Sequence, residues 1–268
     1  AFSLRGLAAV TTDWANLAQA GPQLDASLAI FTELADPWGM ALVRFNLGWL
    51  ALERDDTAQA EAVWQAGLEQ FRRCGDRWGI AVTVGALGYV ARLRGDYTRA
   101  SAYMHEGLQQ FRELGDKAGV ALSLTRLGNL AFRRSDYREA SALLSESMNV
   151  LQTRHDMQSI IATRQVQGVV AAYQGNYEQA QALLQESIDY AQERNVDFEV
   201  AMGMSYLAFT HYLQADLARA EQLFQAGLAL FERDQDREGV AFAQHGLALI
   251  ALRTGDYAQA AARLEQSL

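Results

Sequence analysis

A chain of 268 residues with a formal net charge of −9 and one cysteine argues against several classes of protein before any motif is read. The acidity is spread along the length, and a generic nucleic-acid surface needs a basic stripe instead. Cys74 alone can form neither an internal disulfide nor a thiolate metal cluster, and no apolar run approaches the roughly 20 residues that span a bilayer.

Half of the residues are hydrophobic and only Pro22 and Pro37 are proline, a composition that suits helices and opposes disorder. The opening Ala1-Phe2-Ser3-Leu4-Arg5 lacks the basic start and apolar stretch of a signal peptide. It begins inside a repeat, so an excised segment of something longer is expected. A reducing cytoplasm is the simplest home for a lone thiol.

The organising stretch is Arg94-Gly95-Asp96-Tyr97-Thr98-Arg99-Ala100. Its last alanine recurs at Ala20, Ala60, Ala100, Ala140, Ala180, Ala220 and Ala260, always at the same interval, without insertion or deletion. So strict a spacing is the signature of a stacked repeat. It divides the chain into units 1–40, 41–80, 81–120, 121–160, 161–200, 201–240 and 241–268 of one elongated domain. Residues 1–40 are the most worn copy, although Ala20, Leu28 and Phe31 keep its register.

Residues 77–116 are the clearest unit. The spacing predicts a first helix from Trp78 to Arg94, burying Val82, Leu87, Val90 and Ala91. Gly95 then takes the positive φ that closes it, and the Asp96 carboxylate caps the next helix. A second helix runs from Thr98 to Leu114, with Ala100, Met104, Gly107, Leu108 and Phe111 on its apolar stripe. Gly115-Asp116 stops it and caps its successor. At about 1.5 Å per residue each helix is about 25 Å long.

The same columns recur. Leu7, Leu47, Leu87, Leu127, Leu207 and Leu247 share a position that Gln167 breaks. The next holds Gly48, Gly88, Gly128 and Gly168, replaced by Ala8, Ala208 and Ala248, where small residues allow helices to approach closely. Gly67, Gly107 and Gly227 alternate with Ser27, Ser147, Ser187 and Ser267 at a further crossing.

Leu87-Gly88, Gly95-Asp96-Tyr97, Ala100 and Gly107-Leu108 resemble the tetratricopeptide repeat pattern in order and spacing. The usual unit has about 34 residues and a proline after its second helix. Here the unit is longer, as the interval from Ala60 to Ala100 shows, and Gly-Asp replaces the proline. The resemblance implies an all-α, right-handed solenoid of about seven helical hairpins. Phe111-Arg112-Glu113-Leu114-Gly115-Asp116 further resembles the long repeats in the sensor ends of bacterial signal-transduction ATPases and LuxR-type transcription activators. Neither a P-loop nor a DNA-reading helix pair is present.

No catalytic constellation can be assembled, and neither a metal site nor a cofactor is expected. His105 is exposed on a second helix and His155 lies in a turn; neither has a ligand partner at i+3 or i+4. His211 and His245 replace small or neutral residues on first helices but stand six positions out of register. No Gly-x-Ser-x-Gly elbow occurs, and Asp55-Asp56 reads as a turn cap. Cys74 falls in a turn column, a structural position rather than that of a reactive thiol.

The remaining surface is that of the first helices, which the resemblance places on the concave side. One face of each carries aromatic groups with a few polar ones between them. The candidate ligand-binding residues are Trp49, Tyr89, Arg126, Asn129 and Phe132, followed by Gln165 and Tyr173. Ser205, Tyr206, Phe209, Tyr212 and His245 complete the set. Arg126 is the anchoring charge, Asn129 and Gln165 orient, and the aromatic rings supply apolar area. Two readings of this face stand open at this point: a pocket for a peptide, protein segment or small effector, or long helices wound so tightly that these side chains pack on one another. The expected function is a non-enzymatic sensor with no direct nucleic-acid or membrane partner. A self-associating scaffold joined through open repeat ends is the alternative.

Overall fold

The computed structural model describes residues 21–152 and 156–266. The sequence readings at Leu7, Ala8, Ala20, His155 and Ser267 lie outside them. Among the described residues there are thirteen helices and no strand, so the chain is all-α, as the repeat predicts. The chain divides into two compact units, up to Leu130 and from Ala131.

In the first unit α1 (Gly21–Glu33) precedes the hairpin of α2 (Pro37–Glu53) and α3 (Thr57–Cys74) and that of α4 (Arg77–Leu93) and α5 (Tyr97–Leu114); α6 (Lys117–Arg133) follows. The second unit contains α7 (Tyr137–Leu151), then the hairpins α8 (Met157–Tyr173) with α9 (Tyr177–Gln192), α10 (Asp197–Leu213) with α11 (Leu217–Arg233), and α12 (Arg237–Thr254) with α13 (Tyr257–Gln266). Consecutive helices pack together from α1 to α5 and again from α7 to α13. The first helices of neighbouring hairpins also touch, α2 on α4, α8 on α10 and α10 on α12.

The turns recur as regularly as the helices. Positive φ occurs at Ala35, Asp55, Gly75, Gly95, Gly115, Ser135, Gly175, Asn195, Ala215, Gln235 and Gly255. Glycine is therefore the cheapest occupant of the left-handed position rather than a requirement, and the six other residues are held there at a cost of about 1 kcal/mol each. The following residue is usually an aspartate whose carboxylate accepts the third backbone N–H beyond it: Asp56 from Gln59, Asp96 from Arg99, Asp136 from Glu139 and Asp216 from Arg219. Asp76 has a second function, accepting the indole N–H of Trp38 from the preceding hairpin at 2.8 Å. Trp78 repeats that bond to Asp116 at 3.2 Å.

Close packing explains the small residues. A Cβ on Gly39, Gly79, Gly119 or Gly239 would stand 2.1–2.3 Å from a ring carbon of Phe31, Phe71, Phe111 or Phe231. Each ring thus lies flat on glycine backbone, joining a second helix to the following first helix. Where the phenylalanine column holds Leu151 and Ala191, the glycine column holds Ser159 and Glu199. A smaller residue on one side accompanies a larger one on the other, conserving volume. Ion pairs add lateral ties. Arg72–Glu106 bridges the second helices α3 and α5, Arg94 at the end of α4 reaches back to Glu61 of α3, and Arg77–Glu113 joins α4 to α5.

Candidate functional site

In the first unit the candidate residues are Trp49, Tyr89, Arg126 and Asn129, all half-buried. Trp49 is fixed from below. Its ring meets Trp64 edge-on at 5.1 Å and Phe45 at 6.3 Å, and Trp64 is itself locked by an indole N–H donated to the Phe45 carbonyl at 2.9 Å. From this base Trp49 reaches Tyr89 on the next first helix, 6.0 Å away. The Arg92 guanidinium lies over the Tyr89 ring at 4.6 Å, a cation–π contact that fixes both groups.

Arg126 points toward α4, where Gly85 leaves room: an added Cβ there would be 3.4 Å from Nη1. Burial pushes the guanidinium pKa down, nearby Tyr89 counteracts this, and the like charge of Arg92 lowers it further. A cation in such surroundings is unusual, because its desolvation is normally offset by a carboxylate.

In the second unit the rings of the first helices form a ladder. Phe132 meets Tyr173 edge-on at 5.0 Å, Tyr173 stacks on Phe209 at 5.7 Å, and Phe209 stacks on Tyr212 at 5.9 Å. Arg253 closes it, lying over Tyr212 at 5.0 Å and donating to the Tyr212 carbonyl. Tyr206 stands beside this row, edge-on to Phe242 at 5.8 Å. Burial raises its phenol pKa and nearby Arg133 offsets part of the rise. Tyr173 is 42 % exposed.

The polar members divide. Gln165 is buried and donates to the Glu199 carbonyl at 2.8 Å, joining α8 to α10. Ser205 is fully buried, with its hydroxyl turned back to the Ala201 carbonyl. Both have their donors engaged within the fold. His245 is exposed, and His211 faces its own hairpin, with Nδ1 3.3 Å from the Asp216 carboxylate. Arg92, outside the candidate set, belongs to the geometry. Its signal in the sequence was an arginine one turn beyond Tyr89.

Among the described residues no group of three His, Cys, Asp or Glu side chains could hold a metal ion, and no helix is long and apolar enough to cross a membrane. Cys74 is exposed at the end of α3; partial burial and the carboxylates of Asp36 and Asp76 push its thiol pKa up, away from thiolate reactivity.

The tetratricopeptide repeat model matches residues 79–153 and 199–268, more than half of the chain. The chain belongs to the tetratricopeptide repeat family. No curated protein matches the sequence. Solved structures share its fold at low identity. The apo form of RapI superposes with a TM-score of 0.80 at 14 % identity, over 96 % of this chain and 93 % of RapI. A Rap protein complexed with competence and sporulation factor gives 0.71 at 12 %, over 98 % and 75 %. The tetratricopeptide sensor of a STAND signal-transduction ATPase from Pyrococcus horikoshii gives 0.63 at 14 %, over 87 % of this chain and 36 % of that one. The array is thus a tetratricopeptide solenoid.

Proposed function

We propose that this array is a non-catalytic recognition module that captures an extended peptide or protein segment, or a small effector, on its first-helix surface. In this reading it is a cytoplasmic sensor whose occupancy regulates an attached signalling ATPase or transcription regulator. The observation that carries the reading is the aromatic ladder. Tyr173 is exposed, although a core position would bury about 150 Å² or more of such a side chain. Leu93, Leu122, Phe242 and Leu252, also exposed, lie on first helices too. Tyr173, held by Phe132 and Phe209 yet open to solvent, gives a ligand apolar area at little entropic cost. The similarity to Rap proteins, one of them complexed with a peptide factor, and to a STAND sensor supports the choice of ligand class. A ligand regulates only if it favours one arrangement of the array over another.

Selection of a random dodecapeptide library against the purified protein tests this. Binding peptides are expected, and Tyr173→Ala should weaken them by about 30-fold, the effect of losing a hot spot of about 2 kcal/mol. The melting point should fall, since the change gives up the ring contacts to Phe132 and Phe209, and binding is therefore compared well below the melting range of both proteins. A library without binders, or binders indifferent to Tyr173, would contradict the proposal.

A further inference from the structure

A cavity of about 250 Å³ opens between α1 and α3 above α2. Leu47, Leu50, Ala51 and Arg54 form its α2 wall, spaced at i, i+3, i+4 and i+7 on one helix face. Trp49 lies on the opposite face, so the cavity is separate from the aromatic surface described above. Val63 of α3 extends the apolar wall, and Asp25 of α1 and Gln59 of α3 stand with Arg54 at the exposed rim. Among the described residues none of these three side chains makes a hydrogen bond or an ion pair.

The same columns are tied together in other repeats. Glu61, at the register of Gly21, takes both Arg94 and Arg99, which stand at the registers of Arg54 and Gln59. In the second unit Gln174 donates to Ser141 at 3.4 Å and Gln181 donates to Gln214 at 2.8 Å, across those two columns again. Gly21 breaks the tie because it has no side chain to offer. A Cβ there would stand 3.3 Å from both Arg54 Nη2 and Leu50 Cδ2, in the space the cavity occupies.

We propose that this cavity binds a free α-amino acid with an apolar side chain. Arg54 receives the α-carboxylate on its planar fork, Asp25 accepts the α-ammonium, and Gln59 donates a further bond to the carboxylate. The side chain lies on Leu47, Leu50 and Val63. The charge pattern selects this class. A dicarboxylate or phosphate would meet Asp25, a diamine would meet Arg54, and a neutral sugar would leave both charges covered but unpaired. The volume holds about eight waters at about 30 Å³ each, the scale of leucine or methionine. The occupant joins α1, α2 and α3 and therefore stabilises the array as its concentration rises.

Calorimetric titration of the whole chain with L-leucine, L-methionine, leucinamide and acetyl-leucine tests this, with melting curves beside it. Leucine or methionine is expected to bind and raise the melting point. Leucinamide, which lacks the carboxylate, and acetyl-leucine, which lacks the ammonium, should each bind about 10-fold more weakly or worse. Arg54→Gln and Asp25→Asn, both on exposed positions, should cost a similar factor, whereas Arg73→Gln on α3 should cost nothing. Gly21→Gln copies Gln181 opposite Gln214 and should close the cavity, abolishing binding while the ligand-free melting point holds or rises. Absence of binding by both amino acids, analogues that match leucine, or binding that survives Arg54→Gln or Gly21→Gln would overturn the proposal. The peptide reading stands on other residues and is untouched by any of these results.

Discussion

Gly48→Ala should destabilise the first unit by about 3 kcal/mol, although alanine is the better helix former by about 1 kcal/mol. The reversal follows from Trp64. A Cβ at position 48 would stand 2.1 Å from its Nε1 and 2.4 Å from Cε2. Trp64 cannot yield cheaply, being fully buried, hydrogen-bonded to the Phe45 carbonyl and set against Trp49. Moving it costs about 1–3 kcal/mol of strain and a comparable amount for an unsatisfied indole N–H. Gly85→Ala is the control. Its Cβ would meet only the tip of Arg126 at 3.4 Å, so helix propensity should prevail and stability should hold or rise by up to about 1 kcal/mol. Urea unfolding of both variants reads the difference, and equal effects would contradict the packing at α2.

Arg126→Met should leave the stability of the ligand-free protein unchanged or raise it by up to about 1 kcal/mol, because a half-buried charge without a partner costs more than an apolar side chain of similar volume. Removal of an arginine from a solenoid usually breaks an ion pair and weakens it. Here burial already lowers the guanidinium pKa and no carboxylate offsets it, so methionine keeps most of the apolar contact without the desolvation cost. The same change should weaken the peptides bound by the first-helix surface. A residue retained at a cost to stability and required for binding is the pattern of a functional site. A stability loss above about 1 kcal/mol would instead mark Arg126 as a structural member of the array.

The strict period, the Gly-Asp turns and the alanine crossings were legible because each reflects a local backbone requirement repeated at fixed intervals. The helix from Trp78 to Arg94 is found at Arg77–Leu93 and that from Thr98 to Leu114 at Tyr97–Leu114. Less legible was which polar groups remain available. Periodicity assigns a residue to a helix face, whereas the rotamer and the neighbour in the next hairpin decide its partner. Gln165 and Arg126 both lie on first helices, yet Gln165 reaches a carbonyl of the next hairpin and Arg126 reaches nothing. Ser205 turns inward for the same kind of reason, since the Ala201 carbonyl one turn earlier is its nearest acceptor. The pairing of Phe31, Phe71, Phe111 and Phe231 with a glycine in the opening turn of the following helix was present in the sequence. Its meaning required the ring to be seen lying on the backbone.

Chemical-shift mapping with isotopically labelled protein and the tightest selected dodecapeptide tests the central claim most directly. The account predicts that perturbed amides and aromatic side chains of the second unit cluster on its first helices α8, α10 and α12, including the ring of Tyr173. Shifts centred on the second helices α9 and α11, with the first helices unchanged, would contradict it.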